Sequence, residues 1–163
     1  MSRSHKMQKS RHTLLYYIGL VILLTCVACD HKTVYSQYES VAISGWEKND
    51  MLSFSTPPLQ QTGDFQEKIG LRISGLYPFM GLTLIIDQTK LPSMETESDT
   101  LNCDLIDHNG NAKGPGISNY QYEIALKTIS LNEGESLHID IRHDMKREIL
   151  PGVSDVGIIL TRK

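Results

Sequence analysis

The chain has 163 residues, 40% hydrophobic and 21% charged, with 16 Lys and Arg against 19 Asp and Glu and a formal net charge of −3. The only charged residues before Asp30 are Arg3, Lys6, Lys9 and Arg11, so removing residues 1–28 leaves 135 residues with 12 basic and 19 acidic side chains, a net of −7. One acidic domain of that size argues against nucleic acid, whose phosphates need clustered cations, and it gains nothing from an anionic bilayer surface.

The N-terminus reads as a lipoprotein signal peptide over residues 1–28. A basic segment precedes the apolar run Leu14 to Leu24, which is followed by Thr25-Cys26-Val27-Ala28-Cys29. Eleven apolar residues fit a signal sequence and fall short of the roughly 20 that span a bilayer. Ala28 supplies the small residue that a lipoprotein peptidase requires before its cysteine, so Cys29 is the expected lipidation site, with Cys26 the rival. An ordinary signal peptide or an uncleaved anchor are the alternatives. Three acyl chains on Cys29 would hold the protein stably on a membrane, since two or more chains suffice. Residues 29–33 form the lipidated tether.

Residues 34–163 carry a period-two signal. Val34 to Ile43 and Met51 to Ser55 are strand candidates; Ile69, Leu71 and Ile73 alternate with Lys68, Arg72 and Ser74; Leu82 to Asp87, Thr100 to Ile106 and Tyr120 to Thr128 follow. Leu137, Ile139 and Ile141 alternate with His138, Asp140 and Arg142, and Val156 to Thr161 closes the series. Alternation of this kind marks half-buried strands. Turn chemistry separates them at Pro57-Pro58, Gly63, Pro78, Pro92, Asn109-Gly110, Gly114-Pro115-Gly116 and Pro151-Gly152. Seven or eight short strands without a long amphipathic helix predict an all-β fold, a single antiparallel β-sandwich of immunoglobulin-like or jelly-roll-like type. In Leu150 to Gly157, the Pro-Gly pair predicts a turn feeding a final strand that pairs inside the sheet, with Asp155 accepting hydrogen bonds from local backbone amides.

Chemistry-bearing patterns are sparse. Asp107, Asn109 and Asn111 imitate the spacing of a calcium loop, but Ala112 and Ser118 stand where an EF-hand needs Gly and Glu, so the segment reads as a turn. The histidines lack zinc spacing, no G-x-S-x-G elbow, P-loop or Rossmann glycine pattern occurs, and Cys103, alternating with Leu101 and Leu105, reads as a buried apolar side chain. Neither a catalytic residue nor a metal or cofactor is expected, and the chain does not read as an enzyme. Trp46, between two strands, either stacks on a sugar or partner or caps the core; Tyr77 and Phe79, flanking Pro78, carry the same two readings.

Several motifs together resemble one family. Gly45-Trp46 with Asp50 and Phe54, Tyr77-Pro78-Phe79 with Leu82, Asp99-Thr100-Leu101 with Leu105 and Asp107, the glycines Gly110, Gly114 and Gly116, and the closing LPGVSDVG string from Leu150 to Gly157 are similar, together with the lipobox, to the GldH-type gliding-motility lipoproteins of Bacteroidetes. The resemblance implies an envelope lipoprotein without known catalytic activity. Two functions follow as expectations. One is a lipid-anchored, non-catalytic accessory that binds other envelope or motility proteins in a gliding or secretion assembly; the other is a carbohydrate-binding module for peptidoglycan or capsular glycan. Trp46, Tyr77, Phe79 and Asp155 are the candidate partner or glycan contacts, and the periplasmic face of the outer membrane is the expected location.

Overall fold

The computed structural model describes residues 32–163; the signal peptide and Cys29 lie outside the described residues. Ten strands follow in order: β1 (Thr33–Ser40), β2 (Trp46–Glu47), β3 (Leu52–Ser55), β4 (Gly63–Ser74), β5 (Gly81–Leu91), β6 (Glu95–Asp104), β7 (Asn119–Leu131), β8 (Ser136–His143), β9 (Ile149–Leu150) and β10 (Val153–Arg162). They form two four-stranded antiparallel sheets, β1-β10-β4-β7 and β3-β8-β5-β6, and a small β2-β9 pair. Apart from that pair, the chain changes sheet at every connection except the β5–β6 hairpin, and its last strand lies between the first and the third of the eight. This is jelly-roll topology rather than the three-plus-four arrangement of an immunoglobulin domain.

The core lies between the sheets. Ile69, Leu71 and Ile73 of β4, Leu82, Leu84 and Ile86 of β5, Leu137, Ile139 and Ile141 of β8, and Val156, Ile158 and Leu160 of β10 are all buried. Their alternation in sequence is the physical reason the segments form strands that pack face to face. The register slips in three places among the described strands, once between Thr33 and Tyr35 at the start of β1 and twice where the core period is affected. In β10 the register slips between Val153 and Asp155, so Val153 and Val156 both reach the core although their spacing is odd. Opposite Glu67, β7 carries an extra residue between Ala125 and Thr128, and Gln66 Nε2 donates to the Lys127 carbonyl at 3.0 Å across the bulge. Bulges of this kind redirect a side chain, and here Lys127 is turned toward β6 of the other sheet.

The sandwich has two poles. β1 and β4 begin, and β7 and β10 end, at the pole that carries the 56–62, 92–94 and 132–135 connections. The opposite pole carries the 41–45, 48–51, 75–80, 105–118 and 144–148 connections together with β2 and β9.

The closing LPGVSDVG segment is explained residue by residue. Leu150 is buried, and Gly152 has φ +83 with so little room that a Cβ would lie 2.4 Å from the Tyr77 amide nitrogen, a position only glycine fills. The final strand pairs inside the sheet, as expected. Asp155, however, does not hold local backbone amides. It lies on the outer face of β10, where its carboxylate accepts from Ser40 Oγ at 2.9 Å and faces the Arg72 guanidinium at 3.7 Å. The bulge places it in the strand instead of the turn, so cross-strand side chains are its neighbours. Gly157 leaves space for the Tyr38 ring, which lies across Gly157 and Gly70, both glycines opposite one another in adjacent strands. Arg72 covers the ring at 4.6 Å.

Candidate functional site

The pole with the longer connections combines a rigid base of rings with exposed aliphatic side chains. Trp46 is fully buried. Its indole Nε1 donates to the Asp50 carbonyl at 2.9 Å, and its ring meets His143 edge-on at 5.3 Å. His143 is buried as well: its Nε2 lies 3.1 Å from the Trp46 carbonyl, and the Met145 amide donates to Nδ1 at 3.4 Å. One nitrogen facing an acceptor and the other a donor defines a neutral imidazole protonated on Nε2. Burial pushes its pKa down and the nearby Lys48 adds to the shift, against the pull of the Trp46 carbonyl. Tyr77 is buried too, with its hydroxyl donating to the Gly81 carbonyl at 2.9 Å and its ring edge-on to half-buried Phe79. Burial pushes the Tyr77 phenol well above its usual range.

Trp46 and Tyr77 therefore close the core and turn no ring face outward, which decides between their two readings in favour of capping and leaves neither free to stack on a sugar or partner. Each ring found enough apolar surface beneath it, and its single polar atom is satisfied by a backbone carbonyl.

The residues that do face solvent are their aliphatic neighbours. Ile43, Leu76 and Ile117 are almost fully exposed, and Met51, Met80 and Ile149 are exposed over about half of their surface. These six lie on five segments of one pole, Leu76 and Met80 sharing the 75–80 connection, whereas the other two exposed large hydrophobics among the described residues, Val34 and Met94, lie toward the opposite pole. Ile43 corrects the strand expected over Val34 to Ile43: β1 ends at Ser40, and the Gly45 amide donates to the Ala42 carbonyl, putting Ile43 in a turn.

Backbone hydrogen bonds tie these connections together. The Val41 amide donates to the Ser154 carbonyl at 2.9 Å, Ser74 to Gly152 at 2.7 Å, Gly75 to Ser118 at 3.2 Å, Lys48 to Glu148 at 2.8 Å, and Leu105 to Met80 at 2.9 Å. The 107–116 segment is a turn stabilised by its own side chains. Asp107 Oδ1 accepts from the amides of Asn109 and Asn111, both at 2.8 Å, and these bonds hold its carboxyl below the usual carboxylate range. Cys103 lies buried, its thiol pushed up to about 12 by desolvation.

A signal for the exposed aliphatics is present in the sequence. Leu76 and Ile117 each follow a glycine, Gly75 and Gly116, and Ile43 precedes Ser44-Gly45. A large aliphatic at a turn position finds no core to enter, and period-two reasoning draws Ile43 into the strand before it.

The fold places the chain among the antiparallel jelly-roll sandwiches, here with a tied, aliphatic-studded pole. The match to the GldH lipoprotein family model spans residues 33–160, and the chain belongs to that family. It is 27% identical over 153 residues to the gliding motility lipoprotein GldH of Flavobacterium johnsoniae, covering 90% of this chain and 95% of that one. It is 28% identical over 159 residues to the gliding motility lipoprotein GldH homolog of Christiangramia forsetii, covering 91% and 94%. Among solved structures, the globular domain of zebrafish complement 1qA is similar with a TM-score of 0.42 and 11% identity, over 82% of this chain and 100% of that one. A protein from Sulfurospirillum deleyianum gives 0.44 and 9%, over 79% and 98%. Likenesses of that size have no bearing on function.

Proposed function

We propose that the protein is a lipid-anchored, non-catalytic component of a gliding or secretion assembly, held by Cys29 on the periplasmic face of the outer membrane, and that it binds another envelope protein through its aliphatic pole. The observation that carries the reading is the concentration of Ile43, Leu76 and Ile117, almost fully exposed, on connections that hydrogen bonds hold in place. Leaving such side chains in water is unfavourable, and exposed apolar groups gathered at one end mark an interaction surface. A preordered surface also avoids part of the entropy lost on binding.

Chain length supports the orientation. Cys29 is four residues from Thr33, where β1 begins, and four residues reach at most about 14 Å. The 12 residues of β4 extend about 40 Å at the rise of a strand. On this reading an anchor at Cys29 keeps the start of β1 within about 14 Å of the bilayer, which leaves the aliphatic pole free to face away from it. The carbohydrate-module alternative rested on Trp46 as a stacking platform, and a buried indole cannot serve as one.

The test uses the full chain in its native envelope. Mass spectrometry of the mature N-terminal peptide should find acyl mass on Cys29. A photoreactive residue at position 43 or 117 should crosslink to a discrete protein, and the combined Ile43→Ser, Leu76→Ser, Ile117→Ser variant should lose that partner while keeping its melting temperature and membrane association. Unchanged partner binding by the triple variant would overturn the assignment of the pole.

A further inference from the structure

His143 ends β8 beneath the aliphatic pole and is committed on both sides of its ring. Nε2 faces the Trp46 carbonyl at 3.1 Å and Nδ1 accepts from the Met145 amide at 3.4 Å, in a residue only 1% exposed. A histidine that takes up a second proton has two donors and no acceptor. Protonation at Nδ1 therefore destroys the bond to Met145 and sets two N–H groups against each other, in a site where a charge has lost most of its water.

The bond that protonation breaks holds the 144–148 connection near its middle. The Asp144 amide donates to the Thr83 carbonyl at 2.9 Å, and the Glu148 carbonyl accepts from the Lys48 amide at 2.8 Å. Between these two ends, among the described residues, Met145 to Arg147 have no other backbone hydrogen bond. Lys146, Arg147 and Glu148 are exposed, so the segment can open locally while the core stays packed. It leads into β9, whose Leu150 pairs with Trp46 and whose Ile149 lies so close to Gly45 that a Cβ there would be 2.6 Å from Ile149 Cγ2. Gly45 closes the turn that carries Ile43. The charge of one ring thus bears on the 41–45 and 144–148 connections together.

We propose that His143 is a proton-operated latch on the aliphatic pole: neutral, it holds the 144–148 connection and β9 in the binding arrangement, and protonated it releases them, so that acid weakens the hold on a protein partner. This regulation rests on the binding role proposed for the pole. The charged groups around the ring set its sensitivity. Lys48, following β2, opposes the imidazolium, whereas Asp144 and Glu148 on the connection favour it, and Lys48 and Asp144 offset one another across 4.0 Å. Leu84, its cross-strand neighbour in β5, and Trp46 in β2 carry no charge. Burial is the largest influence and holds the pKa down, so the closed form is the stable one at neutral pH. Opening returns the ring to water and to a pKa of about 6.5. The open form then takes up the proton first, and the closed form is lost as pH falls below that value.

Hydrogen exchange of the full chain in detergent, read by mass spectrometry and corrected for the intrinsic effect of pH, tests the latch without a partner. Protection of residues 145–150 should fall about tenfold for each pH unit below 6.5 until the folded pKa is reached, as uptake of one proton requires, while β4 and β10 keep theirs. Emission of Trp46, the only tryptophan, should titrate over the same interval. His143→Gln, whose amide can donate to the Trp46 carbonyl and accept from Met145, should abolish both responses. If that variant fails to fold, Lys48→Gln should move both to higher pH, because it removes the opposing charge. Acid should also reduce the crosslink formed from position 43 in the wild type. Protection of 145–150 that ignores pH, falls equally in His143→Gln, or falls only together with β4 and β10 would overturn the proposal, as would a crosslink indifferent to acid. An intact exchange response with no crosslink at neutral pH would instead refute the binding role of the pole and uphold the latch.

Discussion

Tyr38 and the two glycines beneath it allow a sharp test of how this sheet is held together. On the outer face the row Tyr38, Gly157, Gly70 and Glu123 runs across all four strands of one sheet. A Cβ built on Gly70 would lie 2.2 Å from the Tyr38 hydroxyl, 2.5 Å from Cζ and 2.7 Å from Cε1, so Gly70→Ala must expel the ring. Expulsion removes the packing of an aromatic ring and its contact with Arg72, the latter alone worth about 0.5–1 kcal/mol at an exposed site. Overpacking generally costs about 1–3 kcal/mol. Against this, alanine is favoured over glycine in a strand by roughly 0.5–1 kcal/mol. The net expected loss is about 1 kcal/mol, which for a domain of this size lowers the melting temperature by roughly 4 °C.

The double-mutant cycle is more decisive than the single value. All three nearest atoms to the added methyl belong to Tyr38, so in a Tyr38→Ala background the same Gly70→Ala change should stabilise. Thermal melts followed by circular dichroism on the four proteins give the coupling directly. Equal effects of Gly70→Ala in both backgrounds would refute the idea that these glycines exist to seat the ring.

Glu67→Gln should stabilise the protein at pH 8, by replacing a buried acid whose ionisation burial disfavours with a group that does not ionise, to the extent of about 1–3 kcal/mol. Burial raises the Glu67 pKa, against the favourable Gln88 and Lys127 and together with Asp99 and Glu97. The wild-type contribution is therefore full below the unfolded glutamate value of about 4.3 and is lost as pH rises through the folded pKa, so the two proteins should converge in melting temperature near pH 4. His143 has the opposite sense. Its depressed pKa means that its contribution is intact above the unfolded value of about 6.5 and is lost as pH falls below it, and His143→Gln should flatten the melting temperature over that interval. Cys103 should resist a thiol reagent in the native protein and react fully in denaturant; rapid native labelling would contradict its burial and its raised pKa.

The sandwich was legible because its central strands alternate without interruption: Leu137, Ile139 and Ile141, or Val156, Ile158 and Leu160, have no other face to bury. Boundaries were less legible where polar residues pair. β6 begins at Glu95, well before the expected Thr100, because Glu95 to Asp99 are held by the ladder to β5 and not by burial. Glu67 shares the alternation of Ile69, Leu71 and Ile73 and is buried with them, although a carboxylate is a residue type that composition alone would leave in solvent. The choice between immunoglobulin and jelly-roll topology depends on which strands pair across long separations, and period-two alternation does not encode that. Of the two readings the sequence left open for Trp46 and Tyr77, the structure selects the one in which they cap the core. They support the pole from below, while the exposed groups are the aliphatics beside them.

The orientation of the protein is the claim on which the proposed function stands, and depth-dependent fluorescence quenching tests it most directly. Because Cys103 is buried, a thiol-reactive fluorophore can be placed selectively at Ile117→Cys on the aliphatic pole or at Glu133→Cys on the other. The lipidated full chain is reconstituted into vesicles that carry a quencher on the lipid acyl chains. The proposed orientation predicts that a probe at position 133 is quenched and one at position 117 is not, since a sandwich tethered at the start of β1 and standing on that pole would put the other about 40 Å further from the bilayer. Strong quenching at position 117 would contradict the account, showing that Ile43, Leu76 and Ile117 enter lipid instead of meeting a protein partner.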